Sequence, residues 1–385
     1  MVSGRGQPRR PLTIDDLGGW PGVLSRIAAG ADLAAGEAEA AMADLLAGNA
    51  TPSQLAAFIF GLRCKGETVE EMAGLVRAMF AAAQGVQVEP QLRARLVDTC
   101  GTGGDRMGTT NVSTVAALVV AGAGVPVCKH GNRAASSRAG SADVLESLGV
   151  VIDLGSEGVA RCISEAGIGF CYAPRFHAGL RFAGPSRREL GVPTAFNFLG
   201  PLANPARVSR QVVGVGDPAM AAKMAGVLAA NGTAHAAVVY GHDGLDELST
   251  TTESTILRLV AGDDGPRITT ETVDPARLGL RRACLDDLKG GDAAANADLA
   301  RRVVAGEGGS HRDIVVLNAA AALQVGGAVE TLAEGMALAS AAIDDGSAAA
   351  ALERLVSVSR AAASTAPVPP GASSPSRSPG TAIRR

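Results

Sequence analysis

Residues 98–149 form a segment rich in glycine, serine and threonine that contains most of the side chains suited to chemistry. Its first loop reads GTGGD, from Gly101 to Asp105, and is followed by a helix-like run that begins near Val115. Glycine lets the backbone approach a ligand closely, and a helix start presents free N–H groups at the positive end of its dipole. The pattern predicts an anion cradle; a plain strand-to-helix turn of small residues is the alternative.

A second loop, KHGNRAASSRAGS, begins at Lys129. Lys129 and Arg133 supply permanent positive charge, and Asn132 adds an amide to the serine hydroxyls. Ser141 is placed to cap the helix that follows. This mixture suits a diphosphate, so we expect both loops to hold one phosphate-rich substrate. For His130 we favour an imidazole bonded to the backbone over a proton-transfer role.

Two adjacent carboxylates, Asp246 and Glu247, follow an apolar run at residues 237–240. Carboxylates at a strand end commonly bind hard cations, and Mg²⁺ held by few protein ligands also takes oxygens from substrate phosphates. An acidic helix N-terminus is the alternative interpretation. Neither a Gly-Lys-Ser/Thr loop nor a G-x-G-x-x-G motif occurs, which disfavours nucleoside triphosphate and dinucleotide sites.

The secondary-structure elements that must position these groups follow two different sequence patterns. Residues 20–84 read as helical, with capping boxes at Thr51 and Thr68. Beyond Leu96, short β-like runs alternate with helix-like runs, which indicates right-handed crossovers and a mainly parallel sheet. We expect strands at 96–98, 125–128, 150–154, 169–172, 211–215 and 236–240, and helices at 115–123, 142–148, 156–166 and 219–230.

The predicted fold class is α/β, with a small α-helical domain and a large α/β domain around a mainly parallel central sheet. We expect a flexible arm at 1–12, a helical domain at 13–95 on which residues 173–191 dock, an α/β domain at 96–362 that binds the phosphate-rich substrate, and a disordered Pro- and Ser-rich tail at 363–385. In the turn-like run FNFLGPLANPA, at 196–206, packing is at least as plausible a role as catalysis.

Composition narrows the function further. The 385 residues are 47% hydrophobic with a formal net charge of -3, so no global field favours nucleic acid. We expect no membrane span and no signal peptide, because the apolar runs are short and interrupted. Six cysteines without a C-x-x-C pair indicate reduced thiols in a cytoplasmic protein. Cys100 adjoins the first loop, but no base is placed beside it, so we do not expect a nucleophile there.

Five motifs in this order resemble the anthranilate phosphoribosyltransferase family: GTGGD with N-x-S-T, KHGNRAASS with S-A-D-x-L-E, P-x-R-R-E-L-G, F-N-x-L-G-P-L-x-N-P-A, and D-G-L-D-E. The resemblance extends from about residue 20 to about residue 360. It implies a homodimer with the nucleoside-phosphorylase-like phosphoribosyltransferase fold. It also implies Mg²⁺-dependent transfer of phosphoribose from phosphoribosyl diphosphate to the amine of anthranilate, with release of diphosphate.

The resemblance also implies residue roles. Lys129, Arg187, Asp246 and Glu247 would be catalytic, and Ser113, Asp246 and Glu247 would face Mg²⁺. Gly101, Asn132, Arg187 and His177 would contact anthranilate. The residues that would contact phosphoribosyl diphosphate are Gly101, Gly104, Asp105, Thr109, Asn111, Ser113, Thr114, Lys129, His130, Gly131, Asn132, Arg133, Ala134, Ala135, Ser136, Ser137 and Ser141.

Two departures from the family pattern stand out. Arg106 follows GTGGD where many relatives have glycine, which would alter the mobility of the loop. Ala178 and Gly179 follow His177 where many relatives have Pro-Ala, which would alter the shape of the anthranilate entrance.

Two rival functions remain open at this stage. A pyrimidine nucleoside phosphorylase would carry Lys-x-Ser-x-Arg, but Gly131 stands two residues after Lys129. A nucleic-acid-binding paralogue would show a basic groove and no acidic pair, whereas Asp246 and Glu247 are both present.

Overall fold

The computed structural model describes residues 10–134 and 138–365. Its first part is helical, and the two predicted capping boxes are confirmed. The side chain of Thr51 accepts from Gln54 N at 3.3 Å, and the Thr68 hydroxyl accepts from Glu71 N at 3.1 Å. These caps satisfy N–H groups that would otherwise lack partners at a helix start. The helices are α1 Gly19–Ala28, α2 Ala35–Leu46, α3 Pro52–Lys65, α4 Val69–Ala82 and α5 Pro90–Arg93.

A seven-stranded sheet follows, with the order β3-β2-β1-β4-β5-β6-β7. The strands from β1 to β5 are parallel, and β6 and β7 extend one edge as antiparallel strands. The strands are β1 Val97–Gly101, β2 Val127–Gly131, β3 Ile168–Tyr172, β4 Arg210–Gly214, β5 His235–Gly241, β6 Ser254–Val260 and β7 Arg267–Val273. The mainly parallel α/β fold predicted from the sequence is confirmed.

Helices cover both faces of the sheet. They are α6 Val112–Gly122, α7 Ser141–Leu148, α8 Ser156–Ala166, α9 Ala173–Phe176, α10 Gly184–Leu190, α11 Phe196–Leu202, α12 Pro218–Ala230, α13 Ala293–Val304, α14 Ser310–Val325, α15 Leu332–Asp344 and α16 Ser347–Thr365. One buried cluster packs α6 and α14 on one side of the sheet. A second cluster joins α12, the other face of the sheet and the N-terminal helices, so the helical part shares a core with the sheet.

The sheet topology fixes the position of the site. The chain leaves β1 toward β2 and β3 on one side, and it later returns to place β4 on the other side. Ligands of open α/β sheets bind at the carboxyl ends of strands where the strand order reverses. Here that point lies between β1 and β4, whose last residues Gly101 and Gly214 are paired in register.

Residues 173–191 leave the sheet and turn back toward the N-terminal helices. Helix α10 packs on α3, and Ser186 Oγ donates to Pro52 O at 3.4 Å. A Cβ at Gly179 would lie 2.6 Å from Leu46 O, so this turn sits directly against α2. Within residues 10–134 and 138–365, no helix combines the length and the apolar character needed to cross a bilayer.

Three local predictions are wrong. Residues 150–154 form no strand, although Val150, Ile152 and Leu154 are buried at alternate positions. This extended run lies beside α16, where Val151 N donates to Ser359 Oγ at 3.1 Å, and it has no strand to pair with. Alternating burial therefore arose from packing against a helix.

The other two concern caps and turns. Ser141 does not cap α7, because Asp143 accepts from Gly140 N at 2.9 Å and performs that role from inside the helix. The run predicted as a fixed turn at 196–206 begins as α11, with Pro201 inside the helix. In addition, α6 begins at Val112 rather than near Val115, and α16 continues to Thr365, past the boundary expected at 362. The rest of the predicted tail and residues 1–9 of the predicted arm lie outside the described residues.

Candidate active site

Two glycines allow an acidic side chain to enter the end of the sheet. A Cβ at Gly101 would lie 2.5 Å from Asp246 Oδ2, and a Cβ at Gly214 would lie 1.6 Å from Asp246 O. Only glycine therefore permits β1 and β4 to approach the acidic segment so closely. Asp246 Oδ2 in turn accepts from Gly103 N at 2.8 Å, which fixes the start of the first loop.

The first loop runs through several left-handed residues. Gly103, Gly104 and Gly108 have φ values of 63°, 84° and 67°, which glycine adopts at little cost. Arg106 lies between them with φ 57°, a conformation that costs an L-residue about 1–2 kcal/mol. Its side chain is exposed. The loop is closed on its far side by Gly290 N, which donates to Gly108 O at 2.9 Å.

Glu247 binds the start of α6. Its Oε1 accepts from Ser113 N at 3.2 Å, in the first turn of the helix. Asp246 and Glu247 therefore each anchor one end of the first loop, at Gly103 and at Ser113. The sequence placed both carboxylates near the loop, and the structure adds that they contact its backbone.

The charged forms of Asp246 and Glu247 are disfavoured by their surroundings, because both side chains are buried and lie near other carboxylates. Burial and the nearby Asp105 carboxylate raise the pKa of Asp246 to about 6. Burial and Asp246 raise the pKa of Glu247 well above its usual range. A divalent cation beside the pair would relieve this repulsion, so the donor set fits Mg²⁺.

The protein supplies only part of a metal site. In the part of the chain that the structure describes, no group of three or more His, Cys, Asp and Glu side chains is arranged to hold a metal ion alone. That is the expected situation for Mg²⁺, which usually takes one or two carboxylates and completes its shell with waters and substrate phosphates. Ser113 lies between the acidic pair and the ammonium of Lys129, whose Nζ is 3.3 Å from Ser113 Oγ.

Lys129 is an almost fully buried cation, with 2% of its surface exposed. Its Nζ donates to Thr99 O and Ser113 Oγ. Burial lowers the pKa of the ammonium, and the negative charge of Asp98 opposes that shift. The ammonium therefore lies between β1 and the start of α6, where an anionic substrate would add a further partner.

The second loop is braced from within. Asp143 accepts from Ala134 N and from Gly140 N, both at 2.9 Å, and so closes the loop across its neck. Asn111 connects the two loops, because its Nδ2 donates to Ala139 O at 3.0 Å. A Cβ at Gly131 would lie 2.2 Å from Ser141 Oγ, which requires glycine there.

Arg133 has the permanent positive charge that the sequence indicates, and the structure pairs that charge with acidic side chains. Its guanidinium bonds Asp143 Oδ1 and Glu146 Oε2, each at 2.8 Å, and it lies over the ring of Tyr172. The charge is therefore compensated by α7. Lys129, by contrast, forms no salt bridge within the described residues.

Arg187 lies on α10, and its guanidinium is 5.7 Å from the centre of the Phe196 ring. Partial burial lowers the pKa of this guanidinium, and none of the acidic side chains that the structure describes forms a salt bridge with it. An unpaired cation in such a place suits a carboxylate ligand. No described contact joins Arg187 to either loop. It is connected to the second loop only through α11, which Arg187 contacts at Phe196 and His130 contacts at Gly200.

Two histidines meet beside that helix. The rings of His130 and His177 lie 5.2 Å apart, and each bonds a backbone carbonyl: His130 Nδ1 is 3.1 Å from Gly200 O and His177 Nε2 is 2.9 Å from Ala203 O. The expectation of a backbone-bonded His130 is confirmed. Burial, followed by repulsion from His177, lowers the pKa of His130 to about 3, so the ring is neutral. A neutral ring that donates from Nδ1 leaves Nε2 as an acceptor, and Nε2 is buried without a partner in the structure described.

The remaining predicted residues occupy the same edge of the sheet. Thr109 forms a single β-bridge with Lys289, and the buried Thr114 Oγ1 has no hydrogen-bond partner among the described atoms. Asn132 O accepts from Ala142 N at 3.2 Å. Ala135, Ser136 and Ser137 lie outside the described residues, so their predicted contacts are not placed.

Sequence reasoning missed three buried polar residues beneath the site: Asp98, Asn204 and Gln211. Asp98 and Gln211 gave only the signal of a polar residue beside an apolar run, and Asn204 gave that of a motif position without an implied role. Asp98 and Gln211 lie beside Cys100, whose pKa is raised well above its usual range by burial and by Asp98. A thiol of this kind is unreactive, which agrees with the expectation that Cys100 is not a nucleophile.

Comparison with known proteins agrees with this arrangement. Residues 93–349 match the model of the glycosyl transferase family, a/b domain, and residues 21–83 match the helical bundle domain of the same family. Among curated proteins, an anthranilate phosphoribosyltransferase of Salinispora arenicola is 51% identical over 347 residues, which cover 89% of this chain and 97% of the relative. The enzyme of Rhodococcus jostii is 51% identical over 341 residues, covering 87% and 92%.

Solved structures give the same result. The crystal structure of anthranilate phosphoribosyltransferase from Thermus thermophilus has a TM-score of 0.81 and 42% identity, and the match covers 88% of this chain and 99% of that one. The enzyme from Saccharomyces cerevisiae, in complex with PRPP and Mg, has a TM-score of 0.79 and 25% identity over 89% and 98% of the two chains.

Proposed function

The chain belongs to the glycosyl transferase family of anthranilate phosphoribosyltransferases, and from this premise we propose how its residues carry out the reaction. The reaction moves phosphoribose from 5-phosphoribosyl 1-diphosphate to the amine of anthranilate, as a step of tryptophan biosynthesis. The bond between ribose C1 and the diphosphate oxygen breaks, and a bond between C1 and the amine nitrogen forms. Diphosphate leaves, and the nitrogen releases one proton to solvent.

One observation supports the site assignment above the others. Asp246 and Glu247 bind the first loop at Gly103 and Ser113, yet together they keep more negative charge than the protein compensates. The pair and the Ser113 hydroxyl would hold Mg²⁺. When bound there, Mg²⁺ would neutralise charge that develops on the leaving diphosphate.

The protein's own donors would bind the rest of the diphosphate. Gly103 and Gly104 present backbone at the end of β1, and Lys129 contributes a buried ammonium. These groups are fixed before substrate arrives, so they need little reorganisation as the C1–O bond lengthens. Thr109, Asn111, Thr114 and the second loop would complete the binding of the substrate.

On the acceptor side, we propose that Arg187 binds the carboxylate of anthranilate. Its guanidinium has no acidic partner in the described structure, and a bidentate pair with a carboxylate would satisfy it. Asn132, Gly101 and His177 would border the same pocket. An aromatic amine is neutral near pH 7, so orientation contributes more here than a strong general base.

We further propose a cytoplasmic homodimer, as the family resemblance implies. Large apolar side chains are exposed on the helical part of the molecule, with Phe60 at 45% and Phe182 at 39% of their surface. Exposed apolar groups of this size favour a protein–protein contact. Light scattering coupled to size-exclusion chromatography would give twice the chain mass for a dimer and the chain mass if the proposal is wrong.

The function is tested by mixing purified protein with anthranilate, phosphoribosyl diphosphate and Mg²⁺. We expect the fluorescence of anthranilate to fall as its amine is substituted, with diphosphate released in equal amount. The proposal would be contradicted if the fluorescence fell equally without phosphoribosyl diphosphate. It would also be contradicted if folded protein caused no fall.

A further inference from the structure

A connected group of buried polar side chains lies beneath the acceptor side of the site. None of its three residues is a proposed substrate contact. Asp98, Asn204 and Gln211 expose only 0%, 2% and 3% of their surfaces. They come from β1, from the segment after α11 and from β4, so the group connects three parts of the chain. We call these three residues the Asp98 network.

Asp98 is the acceptor on which the network converges. Its Oδ1 accepts from His130 N at 3.0 Å, and its Oδ2 accepts from Asn204 Nδ2 at 2.8 Å and from Gln211 Nε2 at 3.3 Å. Burial raises the pKa of Asp98 to about 6, while Lys129, Asn204 and His130 N oppose the shift. A buried carboxylate with donors on both oxygens has one well-defined orientation.

The side chains of the network also hold the end of α11 and the segment that follows it. Gln211 Nε2 donates to Pro201 O at 2.5 Å, and Asn204 Oδ1 accepts from Ala206 N at 2.9 Å. Asn204 Nδ2 also reaches Cys128 O on β2 at 2.8 Å. The contacts with Gln211 and Cys128 fix the segment against the sheet, and the Asn204–Ala206 bond fixes its own turn.

The same segment carries the carbonyls that orient both histidines. His130 Nδ1 bonds Gly200 O, and His177 Nε2 bonds Ala203 O. His130 is thus held twice, by its own N–H on Asp98 and by a carbonyl of the segment that Asp98 secures. A change at Asp98 would therefore move both rings relative to Arg187, which stacks on Phe196 at the start of α11.

We propose that Asp98 is a positioning residue for the acceptor substrate: it touches no substrate, and it sets the histidine rings and the Phe196–Ala203 run that border the anthranilate pocket. The inference rests on the proposed function, because it concerns the acceptor of that same reaction. It goes beyond the roles that the resemblance implies, since Asp98 and Gln211 lie outside the five motifs and Asn204, in the fourth motif, has no implied substrate contact.

The diphosphate side has separate anchors. Asp246 holds Gly103 N, Glu247 holds Ser113 N, and Asp143 holds Ala134 N and Gly140 N. None of these bonds involves the Asp98 network. Lys129 bonds Thr99 O and Ser113 Oγ and forms no hydrogen bond with Asp98, although the negative charge of Asp98 favours its ammonium form. The network should therefore influence one substrate much more than the other.

The test is Asp98→Asn, which keeps the shape but turns one acceptor into a donor facing Asn204 and Gln211. We expect kcat to fall about tenfold or more and KM for anthranilate to rise about fivefold or more, because small displacements of positioning groups are costly. KM for phosphoribosyl diphosphate should change less than KM for anthranilate, because Asp98 acts on the diphosphate side only through its charge on Lys129. Wild-type turnover is measured first, so that failure of the proposed function is recognised separately.

A matched control is Ser359→Ala, which removes another fully buried hydrogen-bonding group, far along the chain on α16. It should lower the melting temperature without separating the two KM values. The double variant Asp98→Asn with Asn204→Asp restores a donor–acceptor pair across the 2.8 Å contact but loses the bond from Asn204 to Cys128 O, so it should recover only part of the anthranilate KM.

If Asp98→Asn does not fold, Gln211→Met tests the same claim at the edge of the network, with the same selective effect in smaller size. Wild-type kinetics in a folded network variant would overturn the inference. An equal rise of both KM values, without recovery in the double variant, would also overturn it and would assign Asp98 a general structural role.

Discussion

Asp98 lies within β1 and Asp246 lies against its carboxyl end, and burial raises the pKa of each to about 6. Their partners differ. Asp98 accepts from His130 N, Asn204 and Gln211, and Lys129 supplies a nearby positive charge. Asp246 accepts from Gly103 N, and after burial the largest effect on its pKa is repulsion from Asp105.

The difference shows which charges the protein balances for itself and which it leaves for a ligand. Arginines follow the same rule: Arg133 is compensated by Asp143 and Glu146, whereas no described acidic side chain pairs with Arg187. A balanced charge fixes the scaffold. An unbalanced charge at the end of a strand or helix marks a place for substrate or metal.

The largest effect is expected when the carboxylates of Asp246 and Glu247, whose charge the protein leaves unbalanced, are replaced by amides. Asp246→Asn with Glu247→Gln should lower kcat by roughly 10²–10³ and raise the Mg²⁺ concentration needed for half-maximal rate, because the metal loses its carboxylates. Steady-state kinetics with a Mg²⁺ titration measure both. The matched control is Asp263→Asn with Asp264→Asn, another adjacent acidic pair, which lies in an exposed loop and should leave kinetics unchanged.

Arg187→Met removes the unbalanced cation on the acceptor side. KM for anthranilate should rise about 10–100-fold, which corresponds to loss of a charged hydrogen-bonded pair, while KM for phosphoribosyl diphosphate changes little. Arg188→Met is the control, because Arg188 is adjacent on α10 but exposed. Equal effects from the two substitutions would show that Arg187 is not selective for the carboxylate.

The buried, neutral His130 can be tested through the pH dependence of the free energy of unfolding. Its pKa is about 3 in the folded protein and about 6.5 when unfolded, so between these values the unfolded chain binds a proton that the folded chain excludes. The stability due to the neutral ring is complete above about pH 6.5 and is lost as pH falls. Between about pH 7.5 and about pH 5 the loss should be about 2 kcal/mol.

Urea denaturation of wild type and His130→Asn at both pH values measures this loss. The variant should show a smaller drop in free energy of unfolding on acidification, by about that amount. Parallel drops in the two proteins would mean that His130 titrates normally in the folded state.

Arg106 gives the smallest expected effect. Arg106→Gly removes a side chain from a left-handed residue and should raise the free energy of unfolding by roughly 0.5–1 kcal/mol, the strain relieved less the extra flexibility of the unfolded chain. Arg207→Gly is the comparison, because Arg207 has φ 51° outside the site but also donates to Phe80 O at 3.2 Å and lies over the Phe80 ring, so the gain there should be smaller. No gain at Arg106 would indicate that this arginine too is stabilised by a partner.

The sequence predicted what depends on neighbouring residues. Capping at Thr51 and Thr68, the alternation of strands and helices, and the family motifs all depend on short spacings, and the fold and function they predicted are confirmed. The antiparallel β6 and β7 and the absence of a strand at 150–154 depend on which segments lie side by side, and periodicity does not contain that information.

The Asp98 network was missed for the same reason. Asp98 bonds Asn204 and Gln211, which are 106 and 113 residues away, so neither partner is suggested by local sequence. The pairing of Arg133 was not predicted, because its partner Glu146 lies on the next helix. The roles of individual site residues stay predictions until the variants are measured.

The account depends most on the charge left unbalanced at Asp246 and Glu247. The most direct test is the Mg²⁺ dependence of anthranilate consumption by wild type and by Asp246→Asn with Glu247→Gln, measured side by side with phosphoribosyl diphosphate present. We predict rapid, Mg²⁺-dependent loss of anthranilate fluorescence in wild type, and a much slower loss in the variant that needs far more Mg²⁺. The same rate and the same Mg²⁺ requirement in both proteins would contradict the assignment of the acidic pair to the metal.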